Sequence, residues 1–571
     1  MKLPISQLFK KIGLSFYQQK FVILILFIGT GLTLQSLGFN LSRLPGDLGD
    51  ARFNNYILEH FFQWLSHTGT NFWDAPFFYP YPLTTAFSDS LLGSAPFYAI
   101  FRFLGFSRET AFQGWYVIGF ILNYLAAAFV LLKQELKSIA AAGAAFFFAF
   151  GLPVFSQEHH SQLFYRFCVP IAVYCLWDFA HHPRMRTFFF FIFATAFQFF
   201  LTFYIGYFLV LLLLVMVILL PLFSQSSIKT NIIKFWGAVF KTAWAESENR
   251  ERIFSFIGIF AAIICLTSII YPYIQVTQIY KFSRSSQEIL SMLPRIQSYL
   301  LTDHSQIWPS NSPIFSSIPI RYEHQLFPGI TVILLILIGL LWRFPSKTHK
   351  FSFLNILSAF ILIIFTLSIN DFSFYKLVIN LPGFNSIRAV TRIQLMLMWP
   401  IAVFCGYVLD AMLRKQNSGF ILKLSVYFLI SLLIIESTFC NHDTISKEEA
   451  QARIINLKEQ VENTITDNNE NPILFLGTNV EEAWYLTELD AMLVAQEMGM
   501  PTLNGYSGNL LYGFGEHSDC AEVPNRIIQY LRFSRIFNET EYYDLITRVV
   551  PLRLNSCNPL WLTQLPTPLQ P

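Results

Sequence analysis

Charge is what this sequence has least of. Asp, Glu, Lys and Arg make up only 13% of its 571 residues, about half the quarter share of an ordinary soluble domain. That scarcity excludes a soluble globular chain, a disordered chain and a coiled coil, all of which need more charge. Seven cysteines are too few for a small disulfide scaffold. Phosphate-cradling glycine loops, nucleophile elbows and paired Cys-x-x-Cys motifs are missing, which removes the common soluble enzyme classes. Internal repeats and low-complexity segments are missing too.

What is present is apolar. The chain is 54% hydrophobic with 62 Phe, and its mean hydropathy is +0.46. Crossing about 30 Å of hydrocarbon takes roughly twenty residues at helical rise. Such runs lie near 21–39, 110–132, 138–156, 163–180, 187–201, 204–223, 253–272, 328–344, 351–370, 390–411 and 420–438. The block 187–223 is too long for one span and divides near Thr202, Phe203 and Tyr204. The expected fold is an all-α polytopic membrane protein of about eleven transmembrane helices.

Lys and Arg set the orientation. One set of loops holds Lys2, Lys10, Lys11, Lys20, Lys133, Lys137, Arg184 and Arg186, and later Arg343, Lys347, Lys350, Arg414, Lys415 and Lys423. The opposite loops at 157–162 and 202–203 hold none. The N-terminus is therefore expected inside, with the first span a retained anchor rather than a signal peptide. The stretch 224–252, with Phe235, Trp236 and Trp244 among bases, is expected along the inner leaflet. An odd number of spans puts the tail outside.

Residues 440–571 carry 18 acids against 8 bases, and the rest 18 acids against 31 bases. That contrast divides the chain into a membrane body, 1–439, with large outer loops at 40–109 and 273–327, and a soluble extracytoplasmic tail, 440–571. In the tail, Ile473–Leu476 reads as a strand, Glu488–Met498 as a helix and Pro501–Leu503 as a second strand, a small α/β domain. Cys520 and Cys557 lie where a disulfide can form. The bases are scattered among loops, so a nucleic-acid partner is not expected.

Polar residues gather at the outer side. In loop one, Phe53, Tyr56, Ile57, Phe61, Trp64 and Leu65 recur at helical spacing, which predicts an amphipathic helix lying on the membrane surface. Asp47 and Asp50 stand at its start. On residue type alone Asp50 is an N-cap and Asp47 a solvated acid. The second outer loop holds Glu158, His159 and His160, more than a tight turn needs. Adjacent histidines point in different directions, so one His with Glu158 or a loop-one Asp is the feasible metal set. Arg388 and Arg392, four apart, are expected to share a helix face and to bind phosphate or lipid headgroups. The segment 321–329, with Arg321, Glu323 and His324, again places charge beside a span entry, where simple helix capping is the plain alternative. Arg166, Asp178, Asp410 and Glu436 fall near span ends, leaving the span middles without the ionisable groups an ion-coupled transporter carries.

An acid after the first span, a surface helix, a polar second loop and a C-terminal outer domain resemble the GT-C glycosyltransferases. Asp50-Ala51-Arg52-Phe53-Asn54-Asn55-Tyr56 is similar to the acid-x-x-Phe-Asn-Tyr segment of the oligosaccharyltransferase catalytic subunit, with one extra Asn. Where that family often has a second acid two residues earlier, this chain has Leu48. The chain also resembles bacterial polytopic proteins grouped as GT-C or YfhO-like, through Gly46-Asp47-Leu48-Gly49-Asp50, Leu58-Glu59-His60, His160-Ser161-Gln162, Leu326-Phe327-Pro328-Gly329 and Asn504-Gly505-Tyr506-Ser507-Gly508.

The resemblance implies a bacterial inner-membrane enzyme. It would transfer a sugar, with inversion, from a polyprenyl-phosphate donor to a glycan, lipid or protein acceptor on the outer face. Asp50 or Asp47 would act as base, and Arg388, Arg392, His60 and His160 would bind substrate. Asp47, Glu158 and His160 would hold a divalent Mg or Mn where one is used. The alternatives are a lipid or sugar transporter or flippase, and a non-catalytic envelope assembly protein. Reporter fusions test the orientation: those after Arg186 and Lys415 should read cytoplasmic and one after Cys440 extracytoplasmic. A cytoplasmic signal from the tail contradicts it.

Overall fold

The structure is a computed structural model that describes residues 19–69, 71–223, 231–308, 310–341, 349–381, 383–415, 420–465, 470–478, 481–515, 522–536 and 538–553. It is mostly helical, 69% helix against 4% strand, so hydrogen bonds within helices satisfy most of the backbone, as hydrocarbon requires. Every apolar run of the sequence is a helix: Lys20–Ser36, Arg108–Lys133, Ser138–Phe150, Cys168–His181, Met185–Leu201, Phe203–Phe223, Asn249–Tyr280, Ile330–Leu341, Lys350–Thr366, Ile393–Arg414 and Phe420–Thr438. Seven helical stretches among the described residues are long and apolar enough to cross a membrane, and four further apolar helices are shorter. Cys520 and Cys557 lie outside the described residues.

Local chemistry explains the breaks. Thr202 adopts an extended conformation, φ −163°, between Met185–Leu201 and Phe203–Phe223. Asp89 accepts the Phe203 N–H at 3.0 Å and the Thr202 hydroxyl at 3.3 Å, a cap supplied from another loop. Helix Ile393–Arg414 is enclosed by its neighbours, with Trp399 fully buried. Helix Asn249–Tyr280 is the opposite case: Phe256 is 71% exposed, and its apolar surface suits hydrocarbon rather than water. Helix Ile232–Glu246 turns Phe235, Val239 and Ala243 inward.

The helix of loop one is enclosed by protein on both faces. In helix Asp50–Leu65 every residue from Ala51 to Phe61 is buried, because protein covers its polar face as well as its apolar one. Arg102 clamps Glu59 with bonds of 2.9 and 3.0 Å. From the tail, Asp490 takes Arg52 at 2.5 Å and Gln496 donates to the Tyr56 carbonyl at 3.0 Å.

The tail is tied to the bundle by backbone pairing. Strand β1 (Arg43–Pro45) runs antiparallel to β2 (Thr444–Ser446), with Leu44 opposite Ile445. Helix Lys447–Thr464 follows, then β3 (Ile473–Leu476), helices Trp484–Met498, Glu522–Phe533 and Glu539–Thr547, and β4 (Val549–Leu552). Strands β3 and β4 pair in parallel. Thr502 makes a single parallel bridge to Leu474, which is all that forms of the strand expected at 501–503. Leu489, Met492 and Val494 join the apolar core of the bundle, while Ile473, Phe475 and Ile527 belong to a separate cluster.

Asp490 joins the two regions. It lies between Arg52 and Arg453, whose Nη2 is 2.6 Å away. Asp490→Ala strands the buried Arg52 guanidinium and should cost about 3–5 kcal/mol. Arg453→Ala should cost less, because Arg453 is partly exposed and leaves the Arg52 pair intact. Melting of both variants in detergent checks the order.

Candidate functional site

The acidic start of loop one meets the loop at 157–162 at Gly46. Its φ is +88°, and an added Cβ would lie 2.7 Å from the Ala51 Cβ and 3.1 Å from the Glu158 carbonyl. Only glycine fits there. The chain enters helix Asp50–Leu65 with no side-chain bond from its N-cap residue, Gly49. Asp47 does that work instead, accepting N–H bonds from Gly49 at 3.2 Å and Ala51 at 3.3 Å. Asp47 thus takes the capping role expected of Asp50 while staying exposed, and Asp50 is freed to turn towards the protein.

Asp50 Oδ2 is 2.9 Å from His160 Nδ1, and its Oδ1 accepts the Tyr506 hydroxyl at 2.6 Å. Gly505 lets Tyr506 come this close, since a Cβ on it would strike the Phe78 ring at 2.1 Å. His160 sits in a short 3₁₀ turn, Glu158–Leu163, at a non-helical kink. Its Nε2 lies 3.1 Å from Glu323 Oε1 and 2.8 Å from Arg392 Nη2. Arg392 holds Glu323 at 2.7 and 3.2 Å and lies over the Tyr204 ring at 4.8 Å. Accepting from Arg392 leaves His160 neutral, its Nδ1–H donating to Asp50. Donating to both carboxylates requires the imidazolium.

Glu323 is fixed from behind. The turn Arg321–His324 is held by Arg321 on Asp303 and by His324, whose Nδ1 is 2.8 Å from the Ser298 hydroxyl and Nε2 3.0 Å from the Ser291 carbonyl. Burial works to raise the Asp303 carboxyl, but hydrogen bonds from Arg321, Ser310 and Gln325 bring it down to about 2.

The two loop-one acids differ electrostatically. Burial works to raise Asp50, yet the His160 and Tyr506 bonds and the Arg392 charge outweigh it and hold the carboxyl well below the usual range. Glu323 is depressed in the same way: burial is overcome by Arg392 and His160. Asp47 moves in the other direction. The surrounding protein mass, then the Asp50 charge, push it up. Burial, then Asp50, also raise the Tyr506 hydroxyl, which remains a proton donor.

The remaining sequence candidates separate. Arg388 and Arg392 do not share a helix face, because a 3₁₀ turn at Val390–Arg392 precedes the helix that begins at Ile393. Arg392 is buried and committed to Glu323, whereas Arg388 is 33% exposed with Glu288 3.5 Å away. Arg388 acts electrostatically on the Tyr506 hydroxyl and on Arg284. Arg284 in turn donates to the Gly508 carbonyl at 2.6 Å.

His60 stacks on Phe72 and bonds its carbonyl at 2.9 Å. Burial lowers it to about 4, so it is a neutral structural group. Ten residues separate it from Asp50, roughly 15 Å of helical rise.

Glu158 takes the Tyr116 hydroxyl at 2.8 Å, His442 at 3.0 Å and the Asp443 N–H at 3.0 Å. His159 faces Asp443 at 3.4 Å. Asp47, Glu158 and His160 therefore have separate partners and do not fit a shared metal. Among the described residues no three His, Cys, Asp or Glu are arranged to hold one.

Glu323, bonded to His160, and Tyr506, bonded to Asp50, were not singled out as site residues, nor were Arg284 beside Gly508 or His442 and Asp443 beside Glu158 and His159. Glu323 and Tyr506 lay within segments that stood out in the sequence; the others carried no signal. No protein-family model and no curated protein matches the chain.

Glu323→Gln leaves Arg392 buried without its carboxylate, which should cost about 3–5 kcal/mol at neutral pH. A depressed carboxyl stabilises the fold above its unfolded pKa, roughly 4.3, and this contribution is lost as pH falls through the folded value. The gap in melting temperature between wild type and Glu323→Gln should therefore narrow below about pH 4. Melting curves from pH 7 to pH 3 in detergent test this.

Proposed function

We propose that this protein is a GT-C-type membrane glycosyltransferase that moves a sugar from a polyprenyl-phosphate donor to an acceptor hydroxyl at the outer face of a bacterial inner membrane. In this reading eleven helices cross the membrane, the N-terminus is cytoplasmic and the tail is an extracytoplasmic domain that closes the site. The observation that carries the proposal is the meeting of Asp47, Asp50, His160 and Tyr506, from three distant parts of the chain, beside Arg284 and Arg388.

The chemistry divides among these groups. The acceptor oxygen attacks the anomeric carbon, the bond from that carbon to the phosphate oxygen breaks, and the lipid phosphate leaves with the electron pair. One displacement inverts the centre. Arg388, assisted by Arg284, neutralises the charge on the departing phosphate. Asp50 is a fixed anion, with both oxygens already hydrogen-bonded, and opposes the positive charge that develops on the sugar. A carboxyl held so low is a weak base. Asp47, exposed and raised, is the better acceptor for the hydroxyl proton. The GT-C resemblance assigns the base to Asp50; these electrostatics favour Asp47 for the proton and Asp50 for the field.

The test is sugar transfer from a polyprenyl-phosphate donor by purified protein in liposomes. Asp50→Asn should lower the rate by about a hundredfold to a thousandfold, the loss expected for a fixed group that stabilises developing charge. Wild-type activity should fall as the pH drops through the raised Asp47 pKa, because a base works only when deprotonated. Asp47→Asn should remove that acid limb together with most of the rate. Full activity in the double variant would deprive the enzyme reading of its acids and favour transport.

A further inference from the structure

A polar cavity of about 490 Å³ lies between the C-terminal half of helix Asp50–Leu65, the start of helix Arg108–Lys133 and the tail helices Lys447–Thr464 and Trp484–Met498. Its charged lining is Glu59, Arg102, Arg108, Glu109, Lys458 and Glu497. Glu59 stands nine residues beyond Asp50, roughly 13 Å along the helix, so this is a separate place from the Asp50 cluster.

The charges nominally balance, but their bonding does not. Glu59 is saturated by both Arg102 bonds and by the Tyr98 hydroxyl. Glu109 takes the Gln451 amide at 3.0 Å. Arg102 is spent on Glu59 and the Phe106 carbonyl, but the other two cations are less occupied. Arg108 is 7% exposed, donates through Nη2 to Gln496 at 2.9 Å and meets Glu497 only at 3.6 Å. Among the described residues its Nε and Nη1 have no hydrogen-bond partner. A buried guanidinium with unused donors normally has an acceptor that fills them. Lys458, 40% exposed, has among the described residues only Glu462, at 3.9 Å. Ile454 and Ile455 supply an apolar wall. The cavity thus has donors to spare on Arg108 and Lys458, acceptor capacity on the partly exposed Glu497, and the volume of a small-molecule site.

We propose that this cavity binds an oxyanion-bearing molecule of about monosaccharide size, a uronate or a sugar phosphate. Its carboxylate or phosphate meets Arg108 and Lys458, its hydroxyls meet Glu497 and Glu109, and its carbon face lies on the two isoleucines. Because the lining comes from both loop one and the tail, the ligand would also hold the tail against the helix that carries Asp50. The proposal stands on this cavity alone and does not require the transferase reading.

Calorimetry on the full chain in detergent tests it, with D-glucuronate, glucose 6-phosphate and inorganic phosphate as probes and glucose as the neutral control. At least one sugar anion should bind while glucose does not. Its affinity should fall roughly tenfold or more in Arg108→Gln and in Lys458→Gln, the loss expected for a charge-assisted hydrogen bond. It should not change in Arg388→Gln, which alters the first site. Lys458 is exposed enough that its variant reports on binding rather than on folding. A larger effect with glucose 6-phosphate identifies a phosphate ligand, and with glucuronate a carboxylate. The proposal is overturned if no sugar anion binds, if inorganic phosphate alone binds, if glucose binds equally well, if either cavity variant keeps wild-type affinity, or if the loss appears in Arg388→Gln.

Discussion

A histidine held between two carboxylates is the constraint on which the polar end of this protein depends. His160 reaches Asp50 through one ring nitrogen and Glu323 through the other, and Arg392 closes the chain on Glu323. These groups are 110, 163 and 69 residues apart along the sequence. Buried charges of this kind are tolerated only when each has its partner. Four segments must therefore arrive together, and their local structure serves that purpose. Gly46 permits the close approach of loop one, the kink at His160 turns its ring, and Asp303 with Arg321 braces the turn that carries Glu323.

The same network separates two acids only three residues apart. Asp50 faces inward and is stabilised as an anion, whereas Asp47 is exposed, caps the helix and is pushed towards protonation. Carboxylates whose environments drive their proton affinities apart are the usual basis for dividing roles within one site. The tail takes part directly, because Tyr506 donates to Asp50 while the neighbouring Gly508 carbonyl takes Arg284.

The helices were the most legible part of the sequence. Long apolar runs have few alternatives to helix in a chain with so little charge, and even the division at Thr202 could be located because the apolar block exceeded one membrane crossing. Helix Asp50–Leu65 was legible as a helix but not in its placement. Amphipathicity marks a helix with two different faces without saying whether lipid, water or protein covers each, and here Arg102 and the tail helix Trp484–Met498 cover the polar one. Asp50 and His160 were found from their positions beside spans. Glu323 was read as capping, because its partner Arg392 is distant in sequence and their pairing is a tertiary fact. His442 and Asp443 had no local signature at all. Arg392 was assigned to phosphate by spacing, and the 3₁₀ turn before its helix removed the premise.

The central claim is that a lipid-linked sugar reacts beside Asp47 and Asp50. Determining the structure of the protein with a non-hydrolysable polyprenyl-phosphate sugar bound in nanodiscs tests it most directly. The account predicts the phosphate against Arg388 and Arg284, the anomeric carbon facing the Asp47–Asp50 pair and Tyr506, and the Glu323–Arg392 pair intact. A lipid phosphate bound elsewhere, with Asp50 still enclosed by His160 and Tyr506 and out of reach of the sugar, would contradict it.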